Sequence, residues 1–187
     1  MRVYHTGFDI ISSPDIRRGR ANADFGQGFY LSDSEEFSRR WARERRGMTT
    51  YLNSYELDLA GLKVKYLPRG DEWFRYIFNN RRSAPDALAE YDVIVGAVAP
   101  DTIYDTWGIL TSGLIDDKTA LSALMLGCEY TQVVIKTEKA AAALAFLGAS
   151  ELKSEDIAVW RSAVREEERE YQSALSGLLE SVADILK

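Results

Sequence analysis

Residues 92–99 read Asp-Val-Ile-Val-Gly-Ala-Val-Ala, an unbroken apolar run bounded by polar residues. A run this short and this rich in β-branched side chains reads as a buried strand. Such a strand needs hydrogen-bonded neighbours and covering layers, and the chain supplies both. Residues 2–5, 28–32, 49–57, 62–67 and 131–136 read as further strands. Ser32-x-x-Glu35 is a capping box, so it predicts a helix that stops at Gly47, a natural residue to follow a helix end. In that helix Ser34, Phe37, Ser38 and Trp41 share one face. Residues 71–81 form an amphipathic helical pattern with an acidic start and a basic end. Residues 117–126 also read as helical, and Thr137 caps a helix expected to run through Phe146. The expected class is α+β.

From Ser154 the pattern changes. Ile157, Val164, Tyr171, Leu178 and Ile185 recur every seven residues, with Trp160, Leu175 and Val182 beside them. This predicts one amphipathic helix of about 50 Å. Glu167 and Ser181 interrupt the second seam position, which argues against a strict coiled coil. The stripe suits a helix packed across its own domain, and it also suits a surface for a partner chain or a dimer. The chain therefore divides into a domain over residues 1–150 and a C-terminal helix over 151–187, with Gly148 and its neighbours as the hinge candidate.

The net charge of −6 argues against non-specific nucleic-acid binding, which depends on neutralising phosphates. Arg39, Arg40, Arg43, Arg45 and Arg46 are interleaved with Glu35, Glu36 and Glu44, so they read as a solvated face, with an acidic or phosphate-bearing target as the second reading. The lone Cys128 reads as a small buried hydrophobe in a reducing cytoplasm. No cationic start precedes an apolar run, and the apolar stretch at 140–147 is too short to span a bilayer, so no membrane association is expected. A P-loop pattern is absent. Gly26-x-Gly28 lacks a third glycine and precedes a strand, so it is not a Rossmann fingerprint. No Cys/His cluster has zinc spacing, and no metal is expected.

What remains is the only histidine, His5 in His5-Thr6-Gly7, then Phe25-Gly26-Gln27-Gly28-Phe29-Tyr30-Leu31-Ser32, then Gln132 in Tyr130-Thr131-Gln132-Val133. In that order these segments resemble the ADP-ribosyltransferase superfamily of the diphtheria-toxin and poly(ADP-ribose) polymerase type. In those enzymes a His opens the first motif, a Tyr sits in a Gly-x-Tyr strand, and a Glu usually begins a late strand. Ser38 and Trp41 fall eight and eleven residues past Tyr30, where those polymerases carry a Ser and a second aromatic. Pro14-Asp15-Ile16, Gly19-Arg20, Asn22, Asp24, Glu72-Trp73, Asn80-Arg81, residues 91–96 and Thr137-Glu138-Lys139-Ala140 are similar to an uncharacterised bacterial family of ADP-ribosyltransferase-like domains. Members are often encoded beside a small partner and are suspected toxins of toxin–antitoxin pairs.

The resemblance implies a split mixed β-sheet core with flanking helices, NAD as co-substrate, and a mono-ADP-ribosyltransferase acting on a protein or nucleic-acid acceptor, with an antitoxin protein as a further partner. It gives catalytic roles to His5, Tyr30 and Gln132. His5 would bond the nicotinamide ribose, with one donor and one acceptor for a diol. Tyr30 would stack on nicotinamide and Trp41 would cover the other face. Thr6, Gly7, Phe25, Gly28 and Ser38 would shape the nicotinamide end. Arg20, with Arg17 and Arg18, would meet the pyrophosphate or the adenosine end. Asn22 and Asp24 would brace the loop by local side-chain to backbone bonds. Gln132 is the departure, because it bonds a hydroxyl but cannot act as a general base. That disfavours polymer elongation. It leaves mono-transfer, NAD hydrolysis or a non-catalytic binding module open. RNA 2′-phosphotransfer, on the same fold, is disfavoured by the acidic balance.

Overall fold

The computed structural model describes residues 1–99, 119, 122–123 and 125–185. It shows a mixed α+β chain with seven strands in one sheet, in the order β4-β5-β6-β2-β1-β3-β7. The strands are β1 (Arg2–Gly7), β2 (Phe29–Ser32), β3 (Thr50–Leu57), β4 (Val64–Leu67), β5 (Val93–Ala97), β6 (Thr131–Ile135) and β7 (Leu144–Leu152). The helices are α1 (Glu35–Arg40), α2 (Asp71–Arg81), α3 (Glu138–Ala142) and α4 (Ser154–Ile185). Only β4 and β5 run parallel.

The apolar run at 92–99 is a strand covered on both faces. Val93 packs with Val3, Tyr55, Leu57, Val133 and Ile135 on one side. Ile94 and Ala97 pack with Phe25, Trp73, Tyr76, Ile77 and Val134 on the other, under α2. Alternation splits β6 the same way, with Val133 and Ile135 in one core and Val134 in the other. Helix α2 has the bounds its sequence predicts.

The sheet has one narrow joint. β1 meets β2 through a single registered pair, Tyr4 opposite Ser32, whereas β1 and β3 pair over six residues. The halves β4-β5-β6-β2 and β1-β3-β7 are hydrogen-bonded into one sheet and splay apart beyond that pair.

Three helix ends differ from expectation. Ser32 does not cap α1. It pairs within the sheet opposite Gln132, and its hydroxyl accepts from the Ser34 N–H, while Ser34 caps the helix through the Phe37 N–H at 3.1 Å. α1 stops at Arg40, and Gly47 takes its positive φ of 74° in a tight turn closed by the Met48 N–H on the Arg45 carbonyl. Thr137 does cap α3, but that helix ends at Ala142. Residues 144–152 instead satisfy the open edge of β3, and that pairing outweighs the helical continuation expected through Phe146. Gly148 is therefore inside a strand, beside a bulge at Ser54/Tyr55, and is not a hinge between domains. Cys128 is exposed, because it precedes β6 and does not enter the core. The helix read over 117–126 falls largely outside the described residues.

α4 is 32 residues long and packs on its own chain. Ile157 joins Ala42, Leu52 and Leu152, and Tyr171 and Leu175 join Ala123. Among the described residues no helix is long and apolar enough to cross a membrane.

Gly28 immediately precedes β2, where no side chain fits. A Cβ there would come within 2.6 Å of the Ile135 carbonyl oxygen and 2.7 Å of Val134 Cγ1. The Gly28→Ala variant is expected to lose about 1–3 kcal/mol, since the backbone of β6 must shift to admit it. Urea denaturation that leaves stability unchanged would show that β2 and β6 are not in close register.

Candidate functional site

The splay between β1 and β2 opens a cleft of about 520 Å³. Its walls are the end of β1, β2, the face of α1, the loop at 20–24, Val98–Ala99 and Gln132. His5, Thr6, Arg20, Asn22, Tyr30, Ser38, Trp41 and Gln132 all line it. Gly7, Phe25 and Gly28 do not, and each has a structural place instead.

His5 Nδ1 lies 2.8 Å from the Tyr30 carbonyl oxygen. A carbonyl only accepts, so Nδ1 carries the proton and Nε2 keeps its lone pair. Burial pushes the imidazole pKa below its ordinary 6.5, and the carbonyl bond only partly opposes this, so the ring is neutral. Its centroid is 4.7 Å from that of Phe29. The donor and acceptor expected for a diol thus reduce to one acceptor, Nε2. A Cβ on Gly7 would stand 3.2 Å from that nitrogen, so the glycine keeps the approach to it clear.

The Tyr30 hydroxyl is fully engaged. It donates to the Gly26 carbonyl at 2.7 Å and accepts from the Phe25 N–H at 2.9 Å. Burial raises its pKa well above the ordinary phenol value. Tyr30 therefore offers its ring, and no proton, to the cleft. The turn that holds it is clamped from below. Lys136 Nζ donates to the Phe25 carbonyl at 2.5 Å and pairs with Asp86, and the Tyr76 hydroxyl donates to Asp86 at 2.7 Å. Burial opposes ionisation of Asp86, but Lys136, Tyr76 and the Leu88 N–H outweigh it and hold the carboxyl below its ordinary value. Gly26 adopts a φ of 73° above this pair, where a Cβ would come within 2.8 Å of Asp86 Oδ2. Phe25 is consequently core, fully buried beneath Tyr30.

On the opposite wall the Thr6 hydroxyl donates to the Ser38 carbonyl at 2.6 Å, and the two hydroxyl oxygens lie 3.2 Å apart. Thr6 fixes α1 to β1, and Ser38 presents its hydroxyl at the contact. Trp41, 47% exposed, stands at the cleft mouth with its indole edge-on to Phe37. Gln132 is buried, and its Nε2 donates to the Ala97 carbonyl at 3.2 Å, leaving Oε1 as its acceptor. The same carbonyl accepts from Trp73 Nε1 at 2.9 Å.

Asp24 does not brace its loop locally. Arg81, from the end of α2, pairs with it at 2.7 Å, and Asn80 Nδ2 donates to its carbonyl at 3.0 Å. Asn22 and Arg20 reach the cleft from the loop so anchored. Arg17 turns back to Asp15 and is outside the cleft. Asn53 was invisible as a site residue. It is fully buried, accepts from the Ile11 N–H at 2.9 Å and donates to the Asp9 carbonyl at 3.0 Å, tying down the chain that leaves β1. Its signal in the sequence is an asparagine, a poor strand former, inside a strand otherwise rich in tyrosine and leucine.

A family model described as a protein of unknown function, DUF3990, matches residues 1–146. The chain belongs to that family. No curated protein matches the chain. The DUF3990 match takes in every residue of the cleft and ends within β7, so α4 lies outside it.

Because His5 is the only histidine and its folded pKa is depressed, its linkage has one sign. Below pH 6.5 the unfolded chain binds a proton that the folded domain refuses, so this contribution is present above that pH and lost as pH falls through the window. His5→Gln is expected to flatten stability between pH 6.5 and 5 relative to wild type, read from urea midpoints. Parallel curves would mean that His5 is not buried neutral. Lys136→Met, which strands Asp86 beside the Tyr30 turn, is expected to cost about 3 kcal/mol. Paired denaturation curves with Lys136→Met/Asp86→Leu, expected to recover most of the loss, check that the pair is responsible.

Proposed function

We propose that this DUF3990 chain has the ADP-ribosyltransferase fold and is a mono-ADP-ribosyltransferase that moves ADP-ribose from NAD to a macromolecular target, acting as the toxin of a bacterial toxin–antitoxin pair. One observation carries the reading. A single cleft at a splayed strand pair joins the neutral His5 with its free Nε2, the Tyr30 ring, the Ser38 hydroxyl and the Gln132 amide. Each is held by bonds that leave one defined surface toward the cleft.

In this reading His5 Nε2 accepts from a ribose hydroxyl and the ring of Tyr30 stacks on nicotinamide, with Trp41 on its open face. Ser38 meets the carboxamide. Arg20 meets the pyrophosphate. Gln132 Oε1 accepts from the ribose 2′-hydroxyl and turns its amide dipole toward positive charge developing on the sugar. The C1′–N bond breaks, and nicotinamide leaves neutral with the bonding pair. The acceptor's nitrogen or oxygen bonds C1′ and releases its proton to water.

Gln132 supports a second reading. An amide in place of a carboxylate suits a module that holds NAD or ADP-ribose without turnover, or one that only hydrolyses NAD. Adenylate-labelled NAD incubated with cell lysate separates these. Wild type is expected to label a macromolecule, His5→Ala to lose on the order of a hundredfold in rate, and Gln132→Glu to gain. Free ADP-ribose with no labelled macromolecule would mark a glycohydrolase. Saturable NAD binding with no nicotinamide released by any variant would mark the binding module, and binding of neither NAD nor ADP-ribose would sink all three.

A further inference from the structure

A second cavity, of about 350 Å³, lies between α1, the start of β6 and α4. It shares Phe37, Trp41, Val98 and Ala99 with the cleft, so the two adjoin, with the Trp41 indole lining both. Five arginines and two glutamates line it, in a chain whose net charge is −6. The positive groups divide by what they already bond. Arg40 is spent on Glu36, Glu167 and the Tyr130 hydroxyl. Arg69 is spent on the carbonyls of Met125, Gly127 and Cys128. Arg161 and Arg165 are one turn apart on α4. Among the described residues neither guanidinium has an ion pair or hydrogen bond, although Arg161 is half-buried.

We propose that this cavity binds the phosphate backbone of single-stranded nucleic acid and presents one of its bases, as acceptor, to the cleft past Trp41. The acceptor role rests on the transferase reading; the binding does not. Two like charges at adjacent turns repel unless an anion lies between them. A guanidinium fork suits phosphate oxygens. The exposed Trp41 indole supplies the stacking face that a base requires and an acidic peptide does not. Val98 and Ala99, which line both cavities, follow the Ala97 carbonyl that holds Gln132. Globally acidic charge repels duplexes and bulk nucleic acid, whereas a local basic cavity with an aromatic entrance admits a strand end or loop.

Fluorescence anisotropy with mixed-sequence 12-nucleotide RNA and DNA, single-stranded and duplex, tests binding with no NAD present. Single strands are expected to bind, with affinity falling as salt rises. The Arg161→Glu/Arg165→Glu variant is expected to bind at least tenfold more weakly, with NAD binding retained. Arg165→Glu alone, a change at an exposed residue, is expected to weaken binding in the same direction. His5→Ala is expected to bind oligonucleotide normally. No binding at low salt, an affinity unchanged by both variants, or preference for poly-glutamate over oligonucleotide would each overturn the site. NAD binding without oligonucleotide binding overturns this proposal alone. Oligonucleotide binding without NAD binding overturns the transferase reading and leaves the nucleic-acid site standing.

Discussion

The hydrogen bond from His5 Nδ1 to the Tyr30 carbonyl organises the molecule around it. Continued pairing from Tyr4 and Ser32 would bring Thr6 opposite Tyr30, but β1 and β2 separate after one registered pair. The splay removes the ladder partner of the Tyr30 carbonyl, and a buried carbonyl without a partner is costly. His5 supplies the donor from its side chain. One interaction therefore satisfies the carbonyl that the splay exposes, fixes the imidazole tautomer and bridges the two strands at the cleft. A serine could make a similar bond, but it would leave no second nitrogen facing the opening.

The rest of the cleft follows the same logic of backbone held by distant side chains. The Phe25–Gly26 turn carries both bonds to the Tyr30 hydroxyl, and Lys136, Asp86 and Tyr76 hold that turn from three separate elements. The Ala97 carbonyl carries Gln132 and is itself held by Trp73. Asn80 and Arg81 end the same helix and clamp Asp24. Helix α2 thus contributes to both ends of the cleft while contributing only Arg81 to its lining. Removing a distal member would loosen a surface without deleting any group that faces a ligand.

α4 stands apart from this core in sequence, being outside the family match, but not in contacts. Glu167 receives both Arg40 and the Tyr130 hydroxyl, and Tyr130 stacks on Phe37 at 4.1 Å. Through Phe37 and Trp41 the helix is mechanically linked to the cleft mouth. It forms one wall of the second cavity, so the DUF3990 core and this appended helix build that space together.

The sequence by itself determined the α+β class, most strands, α2 to the residue, and the long final helix, because hydrophobic period is a local property that local packing rewards. It also selected His5, Tyr30, Ser38 and Gln132 as the groups to watch, by residue type and order. Tertiary structure decided the rest. Residues 144–152 became a strand because β3 had an open edge, and Ser32 gave up its cap because β6 lay beside it. Which His5 nitrogen is free and why Asp24 answers to Arg81 depend on partners 25 and 57 residues away, and the turn that engages the Tyr30 hydroxyl is held by Lys136 and Asp86 from far along the chain. Hydrogen-bond donors and acceptors are written in the sequence, but their saturation is a matter of distance in space.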